Sequence, residues 1–123
     1  MTSHWTVEGA PGQITTGAEA ISLVRSAWAE GRCETIFISE SGRTCYFVTN
    51  GERVMVMLLE RPGDAGGHAS SPGAVGFSSG FVLSNGQDDE YPDTETVPWD
   101  EAVEVLAAII DGRDIPGTWV LDG

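Results

Sequence analysis

The sequence predicts an α+β fold: an antiparallel sheet of about five to six strands with two helices packed on it, in the order β-α-β-β-β-β-α-β. Two amphipathic segments with start and stop signals, residues 16–31 and 98–112, supply the helices. Between them, three apolar and β-branched runs follow one another at short separations. Connections of two to four residues cannot make a parallel crossover, so these runs form an antiparallel meander. With 123 residues and 41% apolar side chains, the chain can bury one ordinary core, and it reads as one domain over residues 1–123.

Taken in order, His4 to Val7 is a short strand by its aromatic and β-branched content. Thr16 and Glu19 then form a capping box. Ala20, Ile21, Val24, Ala27 and Trp28 recur at helical spacing, and Gly31 ends the helix. TIFIS (35–39), TCYFVT (44–49) and RVMVMLLE (53–60) are the meander, turned at Ser41-Gly42 and Asn50-Gly51. Residues 61–76 are rich in Gly, Pro and Ser and read as a loop. FSSGFVLS (77–84) is a further strand whose Gly80 marks a bulge or a close approach. Pro98 takes the first position of the second helix. Trp99, Ala102, Val103, Leu106, Ile109 and Ile110 line one face, Asp100 and Glu101 favour the dipole, and Gly112 is the stop. TWVL (118–121) closes the chain as a strand, with Trp99 and Trp119 assigned to the core.

The formal charge is −13, from 19 acids against six Arg and no Lys. Residues 84–123 hold eleven of the acids and only Arg113, so about −10 sits in the last third and about −3 elsewhere. A field of that sign repels nucleic acid and anionic membrane and attracts basic surfaces, so neither of the first two is an expected partner. No run approaches the roughly 20 apolar residues of a membrane span, and MTSHWTVEGA lacks the pattern of a secretory signal. The sequence therefore reads as cytoplasmic. With Ser39 facing Thr44 in the first hairpin, Cys33 falls about five residues, roughly 16 Å, from the position opposite Cys45, which predicts two free, packed thiols.

Motifs for catalysis or cofactors fail on context. GFSSG (76–80) matches a nucleophile elbow as a string, but Ser78 runs into another strand-like segment where that elbow needs a helix. His4 and His68 are the only imidazoles, and Cys33 and Cys45 have no zinc-ligand spacing. NGQDDEYPDTET lacks the ligand order of a calcium loop. The expectation is a protein without a cofactor or metal and not an enzyme.

The run SNGQDDEYPDTETVPWDE (84–101) carries seven carboxylates and no base. Asp100 and Glu101 belong to the helix start, which leaves Asp88, Asp89, Glu90, Asp93 and Glu95 with Tyr91 among them. Two readings compete: a solvated loop that maintains solubility, and a docking surface for a basic partner with Tyr91 as its aromatic anchor.

Val97-Pro98-Trp99, the Ala-containing amphipathic helix, Asp111-Gly112-Arg113, Pro116 and Trp119 together resemble the immunity protein family one of bacterial polymorphic toxin systems. The resemblance extends in element order over most of the chain. It implies a non-enzymatic inhibitor of a cognate toxin, commonly a deaminase, whose basic substrate cleft it blocks. Asp88, Asp89, Glu90, Asp93 and Glu95 would then supply charge complementarity and Tyr91 a packed contact. The alternative, from a different class, is a small ligand-binding domain or enzyme that uses the concave face of the sheet.

Overall fold

The structure, a computed structural model, describes residues 4–9 and 12–122; residues 1–3 and 10 of the segment read as lacking a secretory signal lie outside them. Strands β1 (Trp5–Val7) and β2 (Gln13–Ile14) precede helix α1 (Gly17–Ala29). The meander follows as β3 (Glu34–Ser39), β4 (Thr44–Thr49) and β5 (Arg53–Leu59), then β6 (Gly67–Ser70), β7 (Phe77–Val82) and β8 (Asp88–Pro92). A 3-10 turn at Asp93–Glu95 leads to β9 (Val97–Pro98), helix α2 (Trp99–Asp111) and β10 (Thr118–Leu121).

These strands form an 8-stranded sheet, ordered β10-β6-β5-β4-β3-β1-β2 with β9 paired to β5, and a separate 2-stranded sheet of β7 and β8. The predicted α+β architecture holds, with both helices on one face of the large sheet. The strand complement is larger than expected, with the two-residue strands β2 and β9 and two longer strands added and one expected strand placed elsewhere. Residues 67–70, inside the segment read as a loop, pair with β5 and β10. The acidic run read as a loop is strand β8 over residues 88–92. FSSGFV belongs to the hairpin with β8 and not to the main sheet.

Helix α1 begins and ends as expected, and α2 differs from expectation by one residue at its start. The Thr16 side chain accepts from the Glu19 backbone, and the Glu19 side chain accepts in return, completing the capping box. The Thr15 amide also donates to Glu19 Oε1, and that bond first, with those from the Thr16 and Thr15 hydroxyls, holds the Glu19 carboxyl below its usual pKa. Pro98 is the N-cap residue and not the first helical one, because its extended ψ of 154° keeps it paired opposite Arg53 in β9. Gly112 ends α2 in the left-handed conformation.

Alternation along the strands separates two faces. Phe37, Cys45, Phe47, Val54, Val56 and Leu58 point towards the helices and pack with Val24, Ala102, Leu106, Ile109 and Ile110. Trp99 meets Phe47 edge-on, with ring centroids 5.5 Å apart, and Trp119 packs against the same cluster, as assigned. The helices touch where Gly17 meets Ala107. A Cβ at position 17 would lie 2.6 Å from that of Ala107, so only glycine fits. The Gly17 amide donates to the Asp111 carboxylate at 2.7 Å, which places one acid of α2 on the positive end of α1.

The first hairpin differs from expectation by one residue. Ile38, not Ser39, faces Thr44, and Phe37 faces Cys45. The cause is the turn: Glu40, Ser41 and Gly42 form a three-residue loop closed by Ser39 N–H to the Arg43 carbonyl, with Gly42 at φ 93° where a side chain would be strained. The thiols are nonetheless free, Cys45 buried and Cys33 half-buried.

Candidate partner-binding face

The other face of the sheet carries the candidate site, and it is built by placing the β7–β8 hairpin over part of it. Val48 points to this face where β7 lies against β4, and both Val48 and Phe81 of the hairpin are fully buried outside the main core cluster. Phe81 packs on Tyr91, with centroids 4.8 Å apart. Polar ties hold the hairpin down: Asn50 Nδ2 donates to the Ser79 carbonyl at 2.9 Å, and the Ser84 amide donates to Glu34 Oε1 at 3.1 Å. Gly80, at φ 90°, completes a bulge in which Ser79 and Gly80 together oppose Glu90, as its place in the strand predicted.

That bulge sets which way the acidic run points. Asp88 pairs with Val82, and Asp89 with Phe81. Paired residues share a face, so Asp89 and Tyr91 turn inward with Phe81 while Asp88 and Glu90 turn outward. Asp88, Glu90 and Glu95 are exposed; Asp89, Tyr91 and Asp93 are half-buried.

The six residues singled out from the sequence therefore divide. Asp93 has internal partners. It accepts from Ser78 Oγ at 2.6 Å and stands 3.8 Å from Arg53 Nε. Ser78 thus supports the turn. Arg53 also donates to the Thr96 hydroxyl at 2.7 Å and to the carbonyls of Asp93 and Thr96 at 3.0 and 2.8 Å, pinning the turn to β5. The run has no base of its own, and the fold brings one from 40 positions away. Asp89 accepts from Tyr91 OH at 2.8 Å and from Gln87 Nε2 at 2.5 Å. Burial, that bond and charge from Asp89, and the charges of Glu34 and Glu95 push the Tyr91 phenol well above its usual range, so it stays a neutral donor. It is a wall of the inner side and not an outward anchor.

The outward aromatic of the hairpin is Phe77, 68% exposed on its first strand; Val82, at the other end of that strand, and Val75, which precedes it, are exposed as well. Phe77 pairs with Pro92, so it shares the outer face with Asp88 and Glu90. Plain alternation puts Phe77 on the same face as Phe81, and only the bulge at Ser79 and Gly80 turns it outward.

Beside the hairpin the sheet stays open. Met55, Met57 and Leu59 alternate outward along β5 and, with Tyr46 and Tyr91, line a groove of about 360 Å³ edged by Glu34 and Asp64. A second groove of about 330 Å³ shares Met55, Met57, Ala65 and Tyr91 with it and ends at Glu95 and Asp122. His68 Nδ1 stands 2.8 Å from Asp122. No Arg lines either groove. Among the described residues, no helix is long and apolar enough to cross a membrane. No protein family, curated protein or solved structure matches the chain.

Proposed function

We propose that this chain is a non-enzymatic binding protein that captures a basic protein partner on the outer face of the β7–β8 hairpin. The observation that carries the reading is Phe77, an exposed aromatic on the same face as Asp88 and Glu90. An apolar anchor among charges that have no internal partner among the described residues has the make-up of an interface hot spot. Charge of one sign raises the rate of encounter, and desolvation of Phe77 slows release.

The partner suggested by the resemblance of residues 97–119 is a cognate toxin with a basic substrate cleft, a deaminase acting on nucleic acid or nucleotides, which makes the chain an immunity protein. The acids then stand where substrate phosphates would lie. The same charge disfavours nucleic acid and anionic membrane as ligands of the chain itself.

The test is capture from the producing cell at low salt, followed by titration. Immobilised wild-type chain retains one basic protein in stoichiometric amount. Asp88→Asn with Glu90→Gln weakens that complex and flattens its salt dependence, while Asp93→Asn leaves the salt dependence unchanged. Equal affinity of the double variant at low salt sinks the hairpin assignment. If the captured protein has no deaminase activity, or its activity is untouched by the bound chain, the toxin reading fails while the binding reading stands.

A further inference from the structure

We infer that the trough on the open face of the sheet seats an arginine-bearing extended segment of a protein partner, a second contact distinct from the outer face of the hairpin. Its floor follows from strand geometry: Met55, Met57 and Leu59 lie in a row at every second position of β5, and the hairpin covers Val48 and leaves them open. Thioether side chains are unbranched and adapt to what lies on them, which suits the methylene stem of a long side chain. Carboxylates stand at both ends, Glu34 at one and Glu95 at the other, with no Arg in the lining to neutralise them.

A guanidinium fits this combination better than an ammonium. It is more weakly hydrated, and its stem lies along apolar surface while the planar head reaches a carboxylate. The occupant is a segment and not a free cation, because two grooves of about 360 and 330 Å³ share Met55 and Met57 and run on from one to the other. A single small cation occupies one end, whereas successive side chains of an extended peptide occupy both. The inference takes from the proposed function only the sign of the partner's charge, and its test does not use the hairpin's outer face.

The chain's own methionines are the probe. Met55 and Met57 are two of three in the sequence, so 13C labelling of the methionine methyl groups reads the trough directly. Acetylated and amidated Gly-Arg-Leu-Arg-Gly is titrated in low salt against the same peptide with citrulline in place of both arginines. The expected result is saturable shifts of both trough methyls, with binding roughly tenfold weaker for the citrulline peptide, whose ureido groups keep the shape and lose the charge. Glu95→Gln, an exposed change, weakens the arginine peptide and leaves the urea midpoint of the free protein unchanged. Equal binding of the two peptides overturns the inference, as does an absence of shifts at millimolar peptide. Shifts that follow protein concentration without peptide also overturn it, because they make a second copy of the chain the occupant.

Discussion

The Arg53 guanidinium stands 3.8 Å from the Asp93 carboxylate and donates at 3.0 Å to the Asp93 carbonyl, so β5 and the acidic turn are joined at one side chain. Arg53→Met keeps the stem and removes the donors, leaving the carbonyls of half-buried Asp93 and buried Thr96 and the Asp93 carboxylate without that partner. The expected cost is about 2–4 kcal/mol in urea unfolding, with faster amide exchange at residues 93–96. Asp93→Asn keeps an acceptor for Ser78 and costs about 1 kcal/mol. A loss below that in Arg53→Met would show that the turn holds without its cation.

Phe77 and Phe81 are four positions apart on one strand and have opposite roles. Phe81→Ala empties a fully buried site and is expected to cost about 3–5 kcal/mol. Phe77→Ala is expected to change stability by less than about 0.5 kcal/mol and to weaken the basic partner by about 2 kcal/mol. Thermal melts with calorimetric titration separate the two effects. Destabilisation by the Phe77 change would mean that its ring packs on the chain's own surface.

The contact between helices is set by a hydrogen atom. Gly17→Ala drives a methyl group into Ala107 and is expected to cost about 1–3 kcal/mol, read from the urea midpoint. Ala107→Gly in the same chain should recover part of the loss, because the two sites share one space.

Cys45 gives the stability an alkaline limb. Burial pushes its thiol from 9.0 up to about 12. Below pH 9 the thiol is protonated in both states and contributes no pH dependence. Above it the unfolded chain's thiol ionises and the folded one does not, so stability falls as pH rises towards 12 at up to about 1.4 kcal/mol per unit. Tyr91, raised for the same first cause, acts in the same direction. Urea unfolding at pH 8 to 11 should show a shallower fall in Cys45→Ala. Iodoacetamide at pH 8 should label Cys33 and spare Cys45 until the protein is denatured.

Both helices and the meander were legible because their signals are local: the Thr16 and Glu19 side chains cap each other across three residues, and Gly112 stops α2 by itself. Strand β6 was not legible. Gly67-His68-Ala69-Ser70 has the composition of a loop and is a strand only because Trp119 lies where a side chain at Gly67 would be, and because Leu58 and Leu121 pair on either side of it. In the candidate site, the acids were found by counting and their directions were not. A bulge of one residue at Gly80 decides that Tyr91 faces in and Asp88 faces out, and the partner of Asp93 comes from a strand 40 residues earlier. Phe77 was not legible as an exposed anchor because it stands four positions from Phe81, a spacing that without the bulge would put both rings on one face.

Phe47 and Val48 are neighbours in β4, yet Phe47 is buried in the main core under the helices and Val48 outside it, under the hairpin. Substitutions on the outer face of the hairpin therefore leave the main core untouched. Phe77, Val82, Asp88 and Glu90 can be exchanged as a set for another anchor and another charge pattern, provided that Phe81 and Gly80 are kept. Under the proposed function the main sheet is then a fixed platform and the hairpin its interchangeable reading head, and a library confined to those four positions tests whether the partner can be changed without touching the core.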